Sequence, residues 1–281
     1  MLDRYTFIKQ LPSGGFGNVV VLFDKQLQRE IVIKTLIHPS QENRERLQRE
    51  ARILNTLINH EHVVDILGSS PHVSNPCIIL EYCKHGTLQD WVTNRPLLGH
   101  ADVDVAHAIQ HAALGLHAIH ELGGVHRDIK PANLFIGENK QGEIRIKVGD
   151  FGFGRLPYPY TRGGMTHHIF GTEGYIAPEA YKPGAAFTKA CDIYSLGITG
   201  IELITSSRDP NSINNTWFLN GELKNLLIRM TSQIPEARPT ALEVVQAIPS
   251  VEKKQTENVK TALVGTAAVL AFGLLFGGDN K

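Results

Sequence analysis

The chain has 281 residues, which at ~100–200 residues per domain predicts one large domain or two modest ones. Hydrophobic residues make up 42% of it and charged residues 20%, a balance that excludes an intrinsically disordered chain. The 28 Lys and Arg residues equal the 28 Asp and Glu residues, so the net charge predicts no nucleic-acid partner. Three cysteines without the spacing of zinc ligands indicate a reducing compartment rather than a disulfide framework.

The N-terminal part of the chain has the pattern of a β-sheet with one long helix. β-Branched runs predict strands at residues 19–23 and 31–33, and residues 63–68 and 77–82 repeat that pattern. Between the two pairs, apolar residues at helical spacing predict a helix over residues 39–58.

After Gly86 the pattern becomes mainly helical. The predicted elements are a helix over residues 105–119, strands over 133–136 and 144–148, an ordered loop over 150–179, a buried helix over 193–204 and a final helix over 240–248. A capping box, Thr240 followed by Glu243, opens the last helix. Residues 249–260 are predicted to be a polar linker.

Two features of the N-terminal part could hold phosphate groups. A hairpin containing Gly14 and Gly17 can approach phosphates closely because glycine has no Cβ, although such a cluster is more often only a tight turn. Lys34 ends a β-branched strand, where a lysine that reaches solvent is the alternative interpretation. Glu50 lies beside the apolar stripe of the predicted helix, and its carboxylate needs a partner there. We expect that partner to be Lys34, and the pair could hold the lysine against nucleotide phosphates.

Two further clusters have the chemistry of a phosphoryl-transfer site. Residues 125–133 bring together Asp128, which could accept a hydroxyl proton, and Lys130, which could neutralise phosphate charge. Asn133 in the same stretch could bind a metal through its amide oxygen. A polar turn is the alternative, but it does not account for so many chemical groups in one segment. Asp150 follows a predicted strand and precedes glycine-containing sequence, a position suited to binding magnesium.

Together these residues resemble the eukaryotic-type serine/threonine protein kinase family. The resemblance covers residues 5–248 and rests on residues that occur jointly in family order: Lys34, Glu50, His126-Arg127-Asp128, Asn133, Asp150-Phe151-Gly152, Ala177-Pro178-Glu179, Asp192 and Arg238. It implies an α+β, two-lobed protein kinase-like fold with a small β-rich N-terminal lobe and a larger helical C-terminal lobe. Lys130 indicates the serine/threonine class, because tyrosine kinases usually lack a lysine there.

The resemblance implies ATP as a cofactor. The residues expected to bind it are Leu11, Gly14, Gly17, Val19, Val32, Lys34, Glu81 and Cys83. Glu50 would orient Lys34 on the α- and β-phosphates. Residues 81–83 would form the hinge that hydrogen-bonds adenine, directly after a gatekeeper, Leu80.

The resemblance also implies Mg²⁺ and a set of catalytic roles. Asp128 would be the catalytic base, assisted by Lys130, and the magnesium ligands would be Asn133 and Asp150. Thr172 would belong to the loop that binds the protein substrate, whose serine or threonine accepts the phosphoryl group. Structural roles are implied for three more residues: Glu179 and Arg238 as a buried ion pair, and Asp192 as a brace of the catalytic loop.

The sequence departs from the family pattern at three places. Pro12 replaces the first glycine of the loop, and Val32 is larger than the usual alanine and could narrow the adenine slot. Residues 192–238 are compact for the family, which puts the usual partner-docking helices in doubt. The alternative function is a catalytically weak pseudokinase, a nucleotide-binding scaffold, although such scaffolds typically lack one or more of the residues retained here.

Arg127 precedes the expected catalytic aspartate, and in the family such an arginine often pairs with a phosphate on the activation segment. That segment is residues 150–179 here. Its candidate phosphorylation sites are Thr161 and Thr166, and an unmodified segment is the alternative.

The C-terminal stretch 261–278 contains no charged residue and is ~27 Å long as a helix, close to the ~30 Å of a bilayer core. We expect it to be a single-pass transmembrane tail anchor, with the kinase domain cytoplasmic and only residues 279–281 outside. A helix packed on the domain or in an oligomer is the alternative. Gly273 and Gly277 form one Gly-xxx-Gly spacing, which predicts a weak tendency to homodimerise.

Overall fold

The computed structural model describes residues 4–12, 17–37, 40–70, 74–93, 101–156, 171–182 and 186–248. Gly14, Thr161 and Thr166 lie outside these ranges, as does the whole C-terminal stretch with Gly273 and Gly277. Within the described ranges, no helix combines the length and the apolar character needed to cross a bilayer.

The N-terminal lobe is an antiparallel five-stranded sheet. Its strands are β1 (Tyr5–Leu11), β2 (Gly17–Asp24), β3 (Arg29–Leu36), β4 (Ile66–Ser70) and β5 (Cys77–Glu81), in the spatial order β1-β2-β3-β5-β4. The β-branched residues of β3 lie at its centre, where Val32 is paired with Val21 of β2 and with Leu80 of β5. This arrangement confirms the predicted small β-rich lobe.

One helix, α1 (Gln41–Thr56), packs beside this sheet. It begins where the hydroxyl of Ser40 accepts a hydrogen bond from the backbone N–H of Asn43, which satisfies a free helix-end donor. Its buried face contains Leu47, Ala51 and Leu54 at helical spacing, as the sequence predicted, and Glu50 lies among them.

The C-terminal lobe is mainly helical. Its elements are α2 (Leu88–Thr93), α3 (Ala101–Glu121), the hairpin strands β6 (Leu134–Glu138) and β7 (Ile144–Val148), α4 (Lys189–Thr205), α5 (Gly221–Met230) and α6 (Ala241–Ala247). Helix α4 is buried along nearly its whole length and packs against α3 and α5. It confirms the predicted buried helix at the centre of this lobe.

The outer edge of β7 is covered by the segment that joins α1 to β4. Val148 donates its N–H to the carbonyl of His62, and its own carbonyl accepts the N–H of Val64. At Ile146 two imidazole rings make the hydrogen bonds that a neighbouring strand would make. His62 Nδ1 donates to the carbonyl of Ile146 at 3.2 Å, and His111 Nδ1 accepts from the N–H of Ile146 at 3.3 Å. The backbone groups at both of these edge positions are therefore paired.

Helix α3 approaches the same segment closely at Gly115. A Cβ at this position would lie 2.4 Å from the carbonyl oxygen of His62, so only glycine fits. Val63 and Val64 are thus engaged with β7 of the C-terminal lobe, and the predicted strand over 63–68 is wrong at its start: β4 begins only at Ile66.

Candidate active site

Lys34 is held between two carboxylates at the interface of the sheet and α1. Its Nζ lies 2.8 Å from Glu50 Oε2 and 3.0 Å from Asp150 Oδ1. The pairing of Lys34 with Glu50 is the one expected from the sequence. Burial by itself would lower the pKa of Lys34, but the two carboxylates outweigh it and raise the pKa, so the lysine stays charged.

Asp150 follows β7 in a strained backbone conformation that aims its carboxylate at Lys34. Its φ of 58° and ψ of 66° are left-handed, and a 3₁₀ turn at Phe151–Phe153 begins directly after it. Phe151 is fully buried against the ring of His126, with 4.7 Å between centroids, and His126 Nε2 lies 3.0 Å from the carbonyl of Gly149. This packing fixes the strained peptide, a form of strain that is typical of functional sites.

Three side chains converge on the carboxylate of Asp128. Thr172 Oγ1 donates to Asp128 Oδ1 at 2.8 Å, and Asn133 Nδ2 donates to Asp128 Oδ2 at 2.9 Å. Lys130 Nζ lies 3.0 Å from the same carboxylate and 2.6 Å from Thr172 Oγ1. A carboxylate, a hydroxyl, an amide and an ammonium group therefore form one cluster, and every member was a sequence candidate.

Asp192 of α4 fixes the backbone that carries this cluster. Its carboxylate accepts the backbone N–H groups of His126 and Arg127, each at 2.8 Å, and the side chain of His120 at 2.9 Å. Arg127 has a left-handed φ of 73°, a conformation that costs energy for a non-glycine residue. Burial alone would raise the pKa of Asp192, but the hydrogen bond from His120 and the nearby histidines lower it, so the brace stays ionised.

The described candidate adenine-binding residues lie on β1, β2, β3 and β5 and on the segment that follows β5. Leu11 is paired with Val19, and Val19 with Lys34. Gly17 opens β2 so close to β3 that a Cβ there would lie 2.3 Å from the carbonyl oxygen of Thr35. The thiol of Cys83 is buried, and burial raises its pKa to about 12, so it is not a nucleophile.

Glu81, the last residue of β5, forms a buried ion pair that sequence reasoning missed. Lys147 Nζ of β7 lies 2.7 Å from Glu81 Oε1, and the backbone N–H of Asp65 donates to the same oxygen at 2.8 Å. The available signal was a lysine between Ile146 and Val148 in an otherwise apolar strand. A charge at such a position requires a buried partner.

The expected ion pair of Glu179 and Arg238 is also present. Arg238 Nη1 and Nη2 donate to the two carboxylate oxygens at 2.6 Å and 2.8 Å. Its remaining donors bind the carbonyls of Ala190 and Ser232. Cys191 adds a contact that the sequence did not suggest, because its thiol lies 3.2 Å from Glu179 Oε1.

Three arginines gather beside the start of the activation segment. Arg127, Arg155 and Arg49 come from the catalytic loop, the end of the Asp150 turn and α1. Burial, and then the charges of Arg155 and Arg49, lower the pKa of Arg127 to about 10. The mutual repulsion of these guanidinium groups is therefore part of the cause of the lowered pKa. Arg49 and Arg155 were not singled out in the sequence.

A divalent cation fits the oxygen donors around Asp150, even though the described residues contain no group of three His, Cys, Asp or Glu side chains arranged as a metal site. The Asp150 side chain is 42% exposed and therefore accessible. Asn133 uses Nδ2 for both of its hydrogen bonds to Asp128, which leaves Oδ1 for a cation. A carboxylate and an amide oxygen, completed by water and phosphate oxygens, are the ligand set that Mg²⁺ prefers.

Known proteins resemble the chain over the same range as this site. The family model for the protein kinase domain matches residues 5–216. The probable serine/threonine-protein kinase zyg-1 of Caenorhabditis elegans is 29% identical over 209 residues, which are 74% of this chain and 28% of that protein. The serine/threonine-protein kinase pkn2 of Myxococcus xanthus is 32% identical over 200 residues, 69% of this chain and 23% of that protein.

A third relative, the serine/threonine-protein kinase drp72 of Corynebacterium efficiens, is 33% identical over 250 residues, 85% of this chain and 44% of that protein. The chain thus spans less than half the length of each of these three relatives. The family uses ATP and a divalent metal and acts on proteins, which agrees with the oxygen donors and the charged cluster described above. The chain belongs to the serine/threonine protein kinase family.

Proposed function

We propose that this protein transfers the γ-phosphoryl group of ATP to serine and threonine hydroxyls of proteins, with Mg²⁺ as the metal. The observation that carries the proposal is the cluster at Asp128, where a carboxylate oxygen accepts a hydroxyl hydrogen bond at 2.8 Å with an ammonium group 2.6 Å from that hydroxyl. The same carboxylate can orient an acceptor hydroxyl, and the same ammonium group can offset the charge that develops beside it.

When bound, ATP supplies the phosphoryl group, and Mg²⁺ offsets the charge of the phosphates. Asp128 Oδ1 would take the proton of the acceptor hydroxyl. The hydroxyl oxygen bonds to the γ-phosphorus as the bond between that phosphorus and the leaving ADP breaks. Lys34, already charged and oriented by Glu50, is placed to hold phosphate oxygens. Asn133 and Asp150 would hold the metal. Most of the catalytic effect would come from positioning and charge, as phosphoryl transfer requires.

The test is transfer from radiolabelled ATP to the full chain itself and to generic protein substrates, with Asp128→Asn beside the wild type. Asp24→Asn, which makes the same replacement at the end of β2, is the matched control. We expect transfer in the wild type and the control and none in Asp128→Asn. Transfer that survives in Asp128→Asn would refute the role of Asp128. Tight nucleotide binding without any transfer would favour the pseudokinase scaffold.

Phosphorylation of the activation segment is a further part of the proposal. The positive charge of Arg49, Arg127 and Arg155 supports a phosphate on that segment, and Thr161 and Thr166 are the proposed sites. Mass spectrometry of the active protein should find one of these threonines modified. Full activity with both threonines unmodified would contradict the proposal.

We also propose that the catalytic domain spans residues 5–248 and that residues 249–260 link it to a membrane helix over 261–278. The charge-free length of 18 residues and the lysines before it support this assignment. Deleting residues 250–281 should move the protein from the membrane fraction to the soluble fraction. Unchanged fractionation would contradict the anchor, and it would leave the catalytic proposal untouched.

A further inference from the structure

Tyr175, Glu202 and Arg208 form a cluster beside the segment that carries Thr172. The buried hydroxyl of Tyr175 donates to the carboxylate of Glu202, and Arg208 Nε donates to the other Glu202 oxygen at 3.0 Å. The guanidinium of Arg208 also lies over the ring of Tyr175, 4.7 Å from its centroid. Arg208 is therefore held in place by a carboxylate and an aromatic face.

The cluster lies close to the point of phosphoryl transfer. Gly174 has a φ of 91°, and a Cβ there would lie 2.9 Å from Arg208 Cδ, so the arginine packs directly on this segment. Thr172, which hydrogen-bonds to Asp128, is two residues away, at most ~7 Å along the chain. A substrate peptide that advances ~3.3 Å per residue would pass Arg208 about two to four residues from its acceptor hydroxyl.

The surface presented by the cluster is cationic. Glu202 already accepts hydrogen bonds from Tyr175 and Arg208, and its side chain is only 13% exposed, against 48% for Arg208. The neighbouring Asp209 faces its own turn, where it accepts from the backbone and side chain of Asn211. Arg208 also hydrogen-bonds to Tyr175, and because nearly half of its side chain is exposed, an anionic ligand can reach its guanidinium group from solvent.

We propose that Arg208 is a specificity-determining residue that binds an anionic side chain, a carboxylate or a phosphate, of the protein substrate two to four residues from the acceptor. The inference rests on the proposed kinase function and adds a substrate class to it. Glu173, exposed in the same segment, would oppose such a ligand, so the preference is expected to be moderate.

The experiment measures kcat/KM of the full chain on matched peptides with one acceptor serine and with glutamate, phosphoserine, glutamine or lysine placed at each position from −4 to −2 and from +2 to +4. At one or more positions the wild type should prefer glutamate over glutamine by about fivefold, the ratio that corresponds to ~1 kcal/mol for an exposed charge pair. The phosphoserine peptide distinguishes a carboxylate ligand from a phosphate ligand. If phosphate binds better, its kcat/KM relative to the glutamine peptide should exceed that of the glutamate peptide.

Substitutions then assign the preference to this side chain. Arg208→Gln should abolish the preference, Arg208→Glu should reverse it towards lysine, and Arg208→Lys should retain part of it. Arg229→Gln, an exposed arginine on α5, is the control and should keep the wild-type ratio. Thermal melts show whether each variant folds, and if the Arg208 variants do not, the peptide preference of the wild type alone decides.

Two failures are distinguishable. Equal wild-type rates on all four peptides at every position, or an unchanged ratio in folded Arg208→Gln, would overturn the inference and leave the kinase function standing. No transfer to any peptide or protein would overturn the proposed function and this inference with it.

Discussion

The ion pair between Lys147 and Glu81 allows a stability prediction with a defined magnitude. The two charged groups lie 2.7 Å apart, and the side chains are 5% and 11% exposed. Lys147→Met keeps the length of the side chain and removes its charge, which leaves a carboxylate in a dry site. Losing one partner of a buried pair typically costs ~3–5 kcal/mol, and we expect about 3 kcal/mol because Asp65 still donates to Glu81.

A double replacement tests the electrostatic origin of this loss. Glu81→Gln removes the stranded charge and keeps an oxygen that can accept the N–H of Asp65. The double variant should therefore be about 1–2 kcal/mol more stable than Lys147→Met alone. Arg145→Met, which breaks two partly exposed pairs of the same strand, with Glu61 and Glu143, is the control and should cost ~1 kcal/mol or less.

The same variants connect stability to nucleotide binding. Glu81 is the first residue of the hinge expected to bind adenine, so releasing its side chain should raise the KM for ATP severalfold with a smaller change in kcat. Urea denaturation followed by tryptophan fluorescence gives the free energies of unfolding, and initial rates at varied ATP give the kinetic constants. A Lys147→Met variant within 0.5 kcal/mol of the wild type, on the order of measurement error, would refute the reasoning.

Three other changes have defined outcomes. Arg238→Leu leaves Glu179 without its cation and should lower the free energy of unfolding by ~3–5 kcal/mol, which urea denaturation measures. Gly17→Ala forces a Cβ against the carbonyl of Thr35 and should raise the KM for ATP in steady-state assays. An unchanged KM for ATP would contradict the close contact between β2 and β3 at this position. The hydrogen bond from Arg4, followed by backbone N–H groups, lowers the pKa of Asp24 to about 2. The stabilisation from the ionised Asp24 is therefore complete above pH ~4 and lost as the pH falls through 2. The melting temperature of Asp24→Asn should fall less than that of the wild type over this pH interval.

The sequence predicted the contacts that follow from local patterns. Lys34 and Glu50 could be paired because each charge interrupts an apolar run, one on a strand and one on a helix. The fixed order of Asp128, Asn133 and Asp150 carried the resemblance, and in the structure Asn133 bonds to Asp128 and to Gly149, the residue before Asp150. Helix α5 was not predicted, and the predicted start of a strand at residue 63 was wrong because Val63 and Val64 pair with β7 instead.

Contacts that depend on distant packing escaped prediction for a physical reason. Lys147 and Glu81 are 66 residues apart, and only the docking of the hairpin beneath β5 brings them together. Arg208 contacts Glu202 six residues away, but its position beside Gly174 depends on how residues 171–177 pack against α4. Pairs between side chains of different elements depend on how those elements pack, and composition and periodicity do not determine that packing.

The two imidazoles on β7 have a consequence for behaviour in acid. An uncovered strand edge is a template for aggregation, and here His62 and His111 occupy it. His111 can accept the N–H of Ile146 only as a neutral ring, because the accepting nitrogen must carry no proton. Burial lowers the pKa of both, that of His111 to about 3, whereas in the unfolded chain they would take up protons near pH 6.5. Acidification below that pH therefore favours the open chain. The two imidazoles that close this strand edge in the folded protein thus also weaken that closure in acid.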